Sequence, residues 1–222
     1  MADQTYEEVL NFFLKAIDSV NTAGDKSLRS DAEAGLVPVG ISNRHVHLSR
    51  ADVEALFGPV HTLTSIKELG QPGQFACKEV VTLAGPKGVI EKVRVLGPER
   101  KQTQVEILAA DGFKLGVKAP ARLSGDLAGT PGLTLIGPAG ALTIPEGVIV
   151  AQRHIHMALE DAYAYGVSDG QEVRLAVEGP RGGIMDHVLI RANATSALEC
   201  HVDTEEANAL GITSNMKLKI VK

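Results

Sequence analysis

The sequence predicts a mainly β protein: two related small β-barrel domains with short capping helices, preceded by an N-terminal amphipathic helix. Three observations predict it. Short Val/Ile/Leu runs recur along the chain and end in turn residues, drawn from 23 glycines and 10 prolines. Aromatic residues are only 4% and Trp is absent, so the cores are built from small and branched aliphatics, which suit a pleated sheet. Two stretches of the chain also repeat one another, which at two copies means two related domains.

The elements follow in chain order. Val9, Phe12, Phe13, Ala16, Ile17 and Val20 recur at helical spacing, with Glu7, Glu8, Asn11, Lys15 and Asp18 on the other side, so residues 1–22 read as an amphipathic helix. Residues 23–35 are polar and aperiodic and read as a linker. A tethered amphipathic helix needs a surface to cover. The pattern alone leaves two choices open, its own domain or another protein. From residue 36 the strand-like runs are Val37–Ile41, Val80–Leu83, Val89–Leu96, Gln104–Leu108, Val148–Ala151, Glu172–Val177, His187–Ala192 and Lys217–Val221. Short helices fit Ser49–Phe57, with Ser49 as N-cap, and Leu159–Tyr165 and Thr204–Leu210. The expected domains are 36–140 and 141–222.

The repeat carries the chemistry. Arg44-His45-Val46-His47 and Arg153-His154-Ile155-His156 lie 109 residues apart, each after a strand pattern and before a polar helix. Gly85-Pro-Lys-Gly-Val-Ile90 matches Gly179-Pro-Arg-Gly-Gly-Ile184 at a spacing of 94, so the first copy holds an insertion, expected within His61–Lys78. Carried forward with one gap, the alignment sets Glu106 opposite His201.

In a strand, residues i and i+2 share a face, so each His-x-His offers two imidazoles side by side while Val46 or Ile155 turns to the core. Glu106 and His201 are the nominated third ligands. The resulting sets, His45/His47/Glu106 and His154/His156/His201, each leave a fourth position open, as catalytic zinc sites do. Nitrogen and oxygen donors also admit other divalent transition metals. A single His-x-His would favour an ordinary structural role, but two at equivalent positions reverse that weighting. His61 and His187 match nothing in the repeat and read as ordinary, and Cys77 and Cys200 read as buried apolar residues.

Arg100, in a loop six residues before Glu106, is placed to reach the open metal position, where a guanidinium suits phosphate or carboxylate. Arg44 and Arg153 turn away from the adjacent histidines, towards a barrel edge or a ligand between domains. Arg122 is a weaker phosphate candidate. The net charge of −5 and the lack of a basic cluster interleaved with aromatics argue against nucleic acid as a partner. No apolar stretch approaches the ~20 residues that span a bilayer, and the acidic start is unlike a secretory signal. A reducing cytosol fits the two cysteines.

Val37-Pro-Val-Gly-Ile-Ser-Asn-Arg-His-Val-His-Leu-Ser49, Gly97-Pro-Glu-Arg-Lys-Gln-Thr-Gln-Val-Glu106, Arg122-Leu-Ser-Gly125, Ala151-Gln-Arg-His-Ile-His-Met157 and Leu198-Glu-Cys-His-Val-Asp-Thr-Glu-Glu-Ala-Asn208 resemble the PduL-type phosphotransacylases, the phosphate propanoyltransferases of bacterial microcompartments. The resemblance runs from about Val37 to the C-terminus. It implies two β-barrel domains, two Zn2+ ions held by the six residues above, and reversible acyl transfer between coenzyme A and phosphate with propanoyl-CoA or acetyl-CoA as acyl donor. It also implies Arg100 as the phosphate-binding, catalytic arginine and Ser42 as a coenzyme A contact. For the N-terminal helix it implies docking to microcompartment shell or core proteins, so the expected location is the bacterial cytoplasm inside a microcompartment, and a homo-oligomer is expected. Two other readings of the metal sets are a dinuclear metallohydrolase of acyl phosphates or similar esters and a non-catalytic, metal-stabilised microcompartment component.

Overall fold

The computed structural model describes residues 31–32 and 34–221, so the expected helix of residues 1–22 and most of the linker 23–35 lie outside the described residues. At the linker's end, Asp31 pairs with Lys217 and Gly35 N–H bonds to the Ala32 carbonyl, which ties the chain to its C-terminal strand.

The protein is mainly β, as the sequence predicts. The first half contains β1 (Leu36–Ser42), β2 (His45–His47), α1 (Arg50–Phe57), β3 (Ser65–Glu68), β4 (Phe75–Ala84), β5 (Val89–Gly97), β6 (Gln104–Glu106), α2 (Ala109–Leu115), β7 (Ala121–Arg122) and β8 (Leu133–Ile136). Then follow β9 (Ala141–Ile144), β10 (Val148–Ala151), β11 (His154–Met157), α3 (Leu159–Tyr165), β12 (Glu172–Val177), β13 (Gly183–Ala192), β14 (Glu199–Asp203), α4 (Thr204–Leu210) and β15 (Lys217–Val221). Ser49 caps α1 as expected, its Oγ accepting from Asp52 N–H at 3.2 Å. The expected insertion is the hairpin of β3 with the first part of β4.

Two sheets result. One is a closed barrel in the order β1-β14-β11-β13-β12-β15; the other is an open nine-stranded sheet running β7-β10-β6-β2-β5-β4-β8-β9, with β3 on β4. Four strands of each half correspond. β2, β4, β5 and β6 match β11, β12, β13 and β14. Both also carry the same bulge: Glu91 and Lys92 oppose Thr82, and Asp186 and His187 oppose Arg174. Lys92 and His187 both take positive φ, 57° and 54°. A bulge kept at one place in both copies is a built feature that bends the strand and strengthens its twist. In the barrel, β15 pairs with β1 and closes the ring. β8 and β10 do not pair as strands: Val148 N–H bonds to the carbonyl of Pro131, ahead of β8, and the sheet stays open.

Sheet membership does not follow the expected cut between residues 140 and 141. β1, from the first half, pairs in parallel with β14 of the second, while β10 of the second half pairs in parallel with β6 of the first. Each half thus gives the strand ahead of its His-x-His motif to the other, and β9 of the second half also stays with β8 of the first. The physical reason lies in burial. Val37 and Val39 of β1 sit in the barrel's core, and Val148 of β10 sits in the core of the open sheet. Apolar alternation fixes which face of a strand is buried and leaves open which sheet receives it.

Candidate metal centre

β2 lies antiparallel to β6 with His45 opposite Glu106 and His47 opposite Gln104. β11 lies antiparallel to β14 with His154 opposite His201 and His156 opposite Glu199. Val46 and Ile155, fully buried, occupy the two cores, so the flanking histidines share the other face. The donor atoms of His45, His47 and Glu106 lie within 4.8 Å of one another, as do those of His154, His156 and His201. The two sets line one cleft of about 220 Å³, together with Ser42, Arg100 and Arg191.

The donors fit a divalent cation, judged from their own chemistry. His45 Nδ1 lies 2.8 Å from the Asn43 carbonyl, and His154 Nδ1 lies 2.8 Å from the Gln152 carbonyl. A carbonyl oxygen only accepts, so both Nδ1 atoms carry the proton and each neutral ring keeps its lone pair on Nε2. Outer bonds of this kind orient metal-binding histidines. His154 Nε2 is 3.0 Å from His156 Nε2, and His45 Nε2 is 3.3 Å from Glu106 Oε2, so electron-rich atoms converge in both sets. Among the described residues, His47 Nδ1 is buried without a hydrogen-bond partner.

Protonation states agree. Burial, the neighbouring imidazoles and nearby arginines pull His47 down to about 3 and His156 to about 3. Burial likewise takes His154 to about 4. These rings are neutral and ready to ligate at neutral pH. Burial also acts to lower His45, but the charge and hydrogen bond of Glu106 outweigh it and the net shift is upward. Burial acts to raise Glu106, and His45 with its neighbours overcomes this, holding the carboxylate well below its ordinary range.

Arg100 reaches the cleft from the loop after β5. Its backbone N–H bonds to the Leu48 carbonyl at 2.9 Å and its Nη1 donates to Ser124 Oγ at 2.8 Å. Burial lowers its pKa, but a guanidinium stays charged at neutral pH. Ser42 lies on the rim, its Oγ 3.4 Å from the Val202 carbonyl. The motif arginines serve the scaffold. Arg44 pairs with Asp111 at 2.6 Å, and Arg153 with Glu206 at 3.5 Å, each an acid in the first turn of α2 or α4. Arg122 faces Asp126 at 3.6 Å on the surface. His61 bonds to Glu79 at 2.9 Å and exposed His187 to Glu172 at 2.8 Å, consistent with ordinary roles for both. Cys77 and Cys200 are fully buried free thiols, raised by burial, Cys77 to about 11.

Sequence reasoning missed Ser124 and Arg191 in the cleft's lining and Gln104 buried behind it. Gln104 donates to Glu106 Oε1 at 2.6 Å and to Ser124 Oγ at 2.8 Å, and it accepts from Gly125 N–H at 2.8 Å. The i, i+2 rule applied to Glu106 would have found it. Ser124 was visible only as part of the quoted Arg122-Leu-Ser-Gly125 stretch. Arg191, the strand partner of His156, corresponds to Leu96 in the first half, so the repeat carried no signal for it.

The model of the phosphate propanoyltransferase family matches residues 38–213. The chain is 58% identical to a phosphate propanoyltransferase of Rhodobacter capsulatus over 193 residues, 87% of this chain and 90% of that one. It is 58% identical to one of Thermotoga maritima over 191 residues, 86% and 90% of the two chains. A third, of Rhodopseudomonas palustris, is 49% identical over 226 residues, 100% and 99%. On this match across most of its length, the chain belongs to the phosphate propanoyltransferase family.

Proposed function

We propose that the protein reversibly transfers a short acyl group, propanoyl or acetyl, between coenzyme A and phosphate: acyl-CoA plus phosphate gives acyl phosphate plus CoA. The observation that carries this reading is the convergence of two three-donor sets and Arg100 on one cleft. The relatives, which bear the name phosphate propanoyltransferase, support it.

Two divalent ions, proposed to be zinc, would be held by His45/His47/Glu106 and His154/His156/His201 and would supply positive charge to phosphate and to a carbonyl oxygen gaining charge. The chain's own residues set the rest. Arg100, steadied by Ser124, presents paired N–H donors to phosphate. Arg191 adds positive charge from the opposite half. Neither cysteine serves as nucleophile, since both are buried with raised pKa. Ser124 Oγ already receives hydrogens from Arg100 and Gln104 rather than facing a base. A phosphate oxygen therefore attacks the thioester carbon directly: the C–O bond forms, the C–S bond breaks and CoA leaves as the thiolate.

A second groove of about 400 Å³ adjoins the cleft and shares Ser42, His45 and His201 with it. Lys67 and Arg94 supply positive charge there and Leu96 an apolar wall, which suits the phosphates and arm of coenzyme A and gives Ser42 its proposed contact. The microcompartment location, and docking to shell or core proteins, rest on the amphipathic pattern of Tyr6–Val20 and on the resemblance.

The test is an assay of metal-loaded protein with propanoyl phosphate, with and without CoA. Thioester formation that needs CoA, disappears on chelation and returns with zinc is the expected result. Phosphate release independent of CoA would replace this reading with hydrolysis.

A further inference from the structure

Glu199 has no part in the steps above, yet its surroundings are specific. Its Oε2 accepts from His201 Nε2 at 2.7 Å. With Nε2 directed at a carboxylate, Nδ1 is the nitrogen of His201 left to ligate. The ring centre lies 5.1 Å from that of His154 and 5.0 Å from that of His156.

The carboxylate is held between two glycines. A Cβ on Gly70 would fall 2.4 Å from Glu199 Oε2, and one on Gly40 would fall 2.8 Å from its Cδ. Gly40 lies on the exchanged strand β1, opposite His201 itself. Gly70 belongs to the β3–β4 insertion, which the second half lacks. Next to it, buried Gln71 grips the chain just before Glu199: its Nε2 donates to the Ala197 carbonyl at 3.0 Å and its Oε1 accepts from Ala197 N–H at 3.2 Å. The insertion of one half thus braces the strand that carries the third donor of the other.

The first half has a counterpart. Gln104 stands two residues before Glu106, as Glu199 stands two before His201. Its amide N–H occupies Glu106 Oε1 and leaves Oε2 towards His45. The pairings are complementary: the carboxylate donor is held by an amide that donates, and the imidazole donor by a carboxylate that accepts.

We propose that Glu199 is the positioning residue of the His154/His156/His201 set, fixing which nitrogen of His201 faces the metal, and that the Gly70–Gln71 corner of the insertion holds Glu199 in place. The inference rests on the metal reading above. It is tested by titrating the metal-free full chain with Zn2+ against a chromophoric chelator, for wild type, Glu199→Ala, Glu199→Gln and Gly70→Ala, alongside thermal melting of each metal-free protein.

Wild type should take up two equivalents. Glu199→Ala should keep one at wild-type affinity and weaken the other roughly ten- to a hundredfold, the usual cost of losing an outer partner. Glu199→Gln should recover most of the loss, because its amide oxygen accepts the same N–H. Gly70→Ala should weaken the same single equivalent although Glu199 is present. Metal-free melting of Glu199→Ala should stay near wild type, whereas a merely structural role would lower it and weaken both equivalents. Two undiminished equivalents in Glu199→Ala would overturn the proposal alone. Failure of Glu199→Gln to recover would overturn it too, making Glu199 a ligand. Two undiminished equivalents in Gly70→Ala would remove the insertion's part. A wild-type chain without two equivalents would sink the metal reading, and this one with it.

Discussion

Gly40 and His201 are backbone partners on adjacent parallel strands, although they come from opposite halves of the duplicated sequence. Ile149 and Glu106 form the matching pair in the other sheet. Each third donor therefore lies on a strand that the other half helps to hold.

Residues 141–222 expressed alone should accordingly fail to fold cooperatively. Without β1 the barrel is unclosed and the places of Val37 and Val39, each contributing about 1.5–3 kcal/mol by burial, are empty. Broad, non-cooperative melting is expected from the fragment. A sharp transition like that of the full chain would contradict the exchange.

His45→Ala and His154→Ala should each lower bound metal from two equivalents to one, measured by elemental analysis after dialysis. Their donors belong to separate sets, so neither change should empty both. The double variant should hold none.

Replacing Arg100 by Ala should lower turnover and raise the KM for phosphate while both metals stay bound. Loss of a charged hydrogen bond of about 1.5–3 kcal/mol corresponds to roughly ten- to a hundredfold in kcat/KM. Arg100→Lys should restore charge but not the paired geometry, and so recover only part. Unchanged phosphate kinetics in Arg100→Ala would remove Arg100 from the mechanism.

The metal-free protein should lose stability in mild acid. His47, His154 and His156 have folded values of about 3 to 4, below the 6.5 of the unfolded chain. Their contribution is complete above pH 6.5 and declines as pH falls towards those values, because the unfolded state takes up protons the native state refuses. His45, shifted upward, acts in the opposite sense and loses its contribution as pH rises. Below pH 6.5 His45 is protonated in both states and does not oppose the three lowered groups, each of which costs about 1 kcal/mol per pH unit there. Melting in chelator from pH 7.5 to 5 should show a falling Tm; a flat or rising Tm would contradict these burials.

Much of this fold was legible because duplication doubles a weak signal. One His-x-His is ambiguous, whereas two in register named Glu106 and His201, and the structure brings both beside their histidines. The same alignment carried one element further turns the expected Thr204–Leu210 helix into Ala109–Leu115, which was not expected; Gly112 inside it hid the pattern. Arg191 was illegible for the converse reason, since its counterpart is Leu96. The exchange of β1 and β10 was beyond reach, because alternation of Val37 and Val39 is satisfied equally by either core.

The insertion also has a genetic consequence through the exchange that surrounds it. Two identical subunits swapping a leading strand would make two identical sites, and every substitution would strike both at once. Joined end to end in a single chain, the copies are free to differ: Glu106 in one and His201 in the other, a hairpin in one and none in its twin. A single chain can therefore hold two unlike donor sets in one cleft, which a symmetric pair of identical subunits cannot.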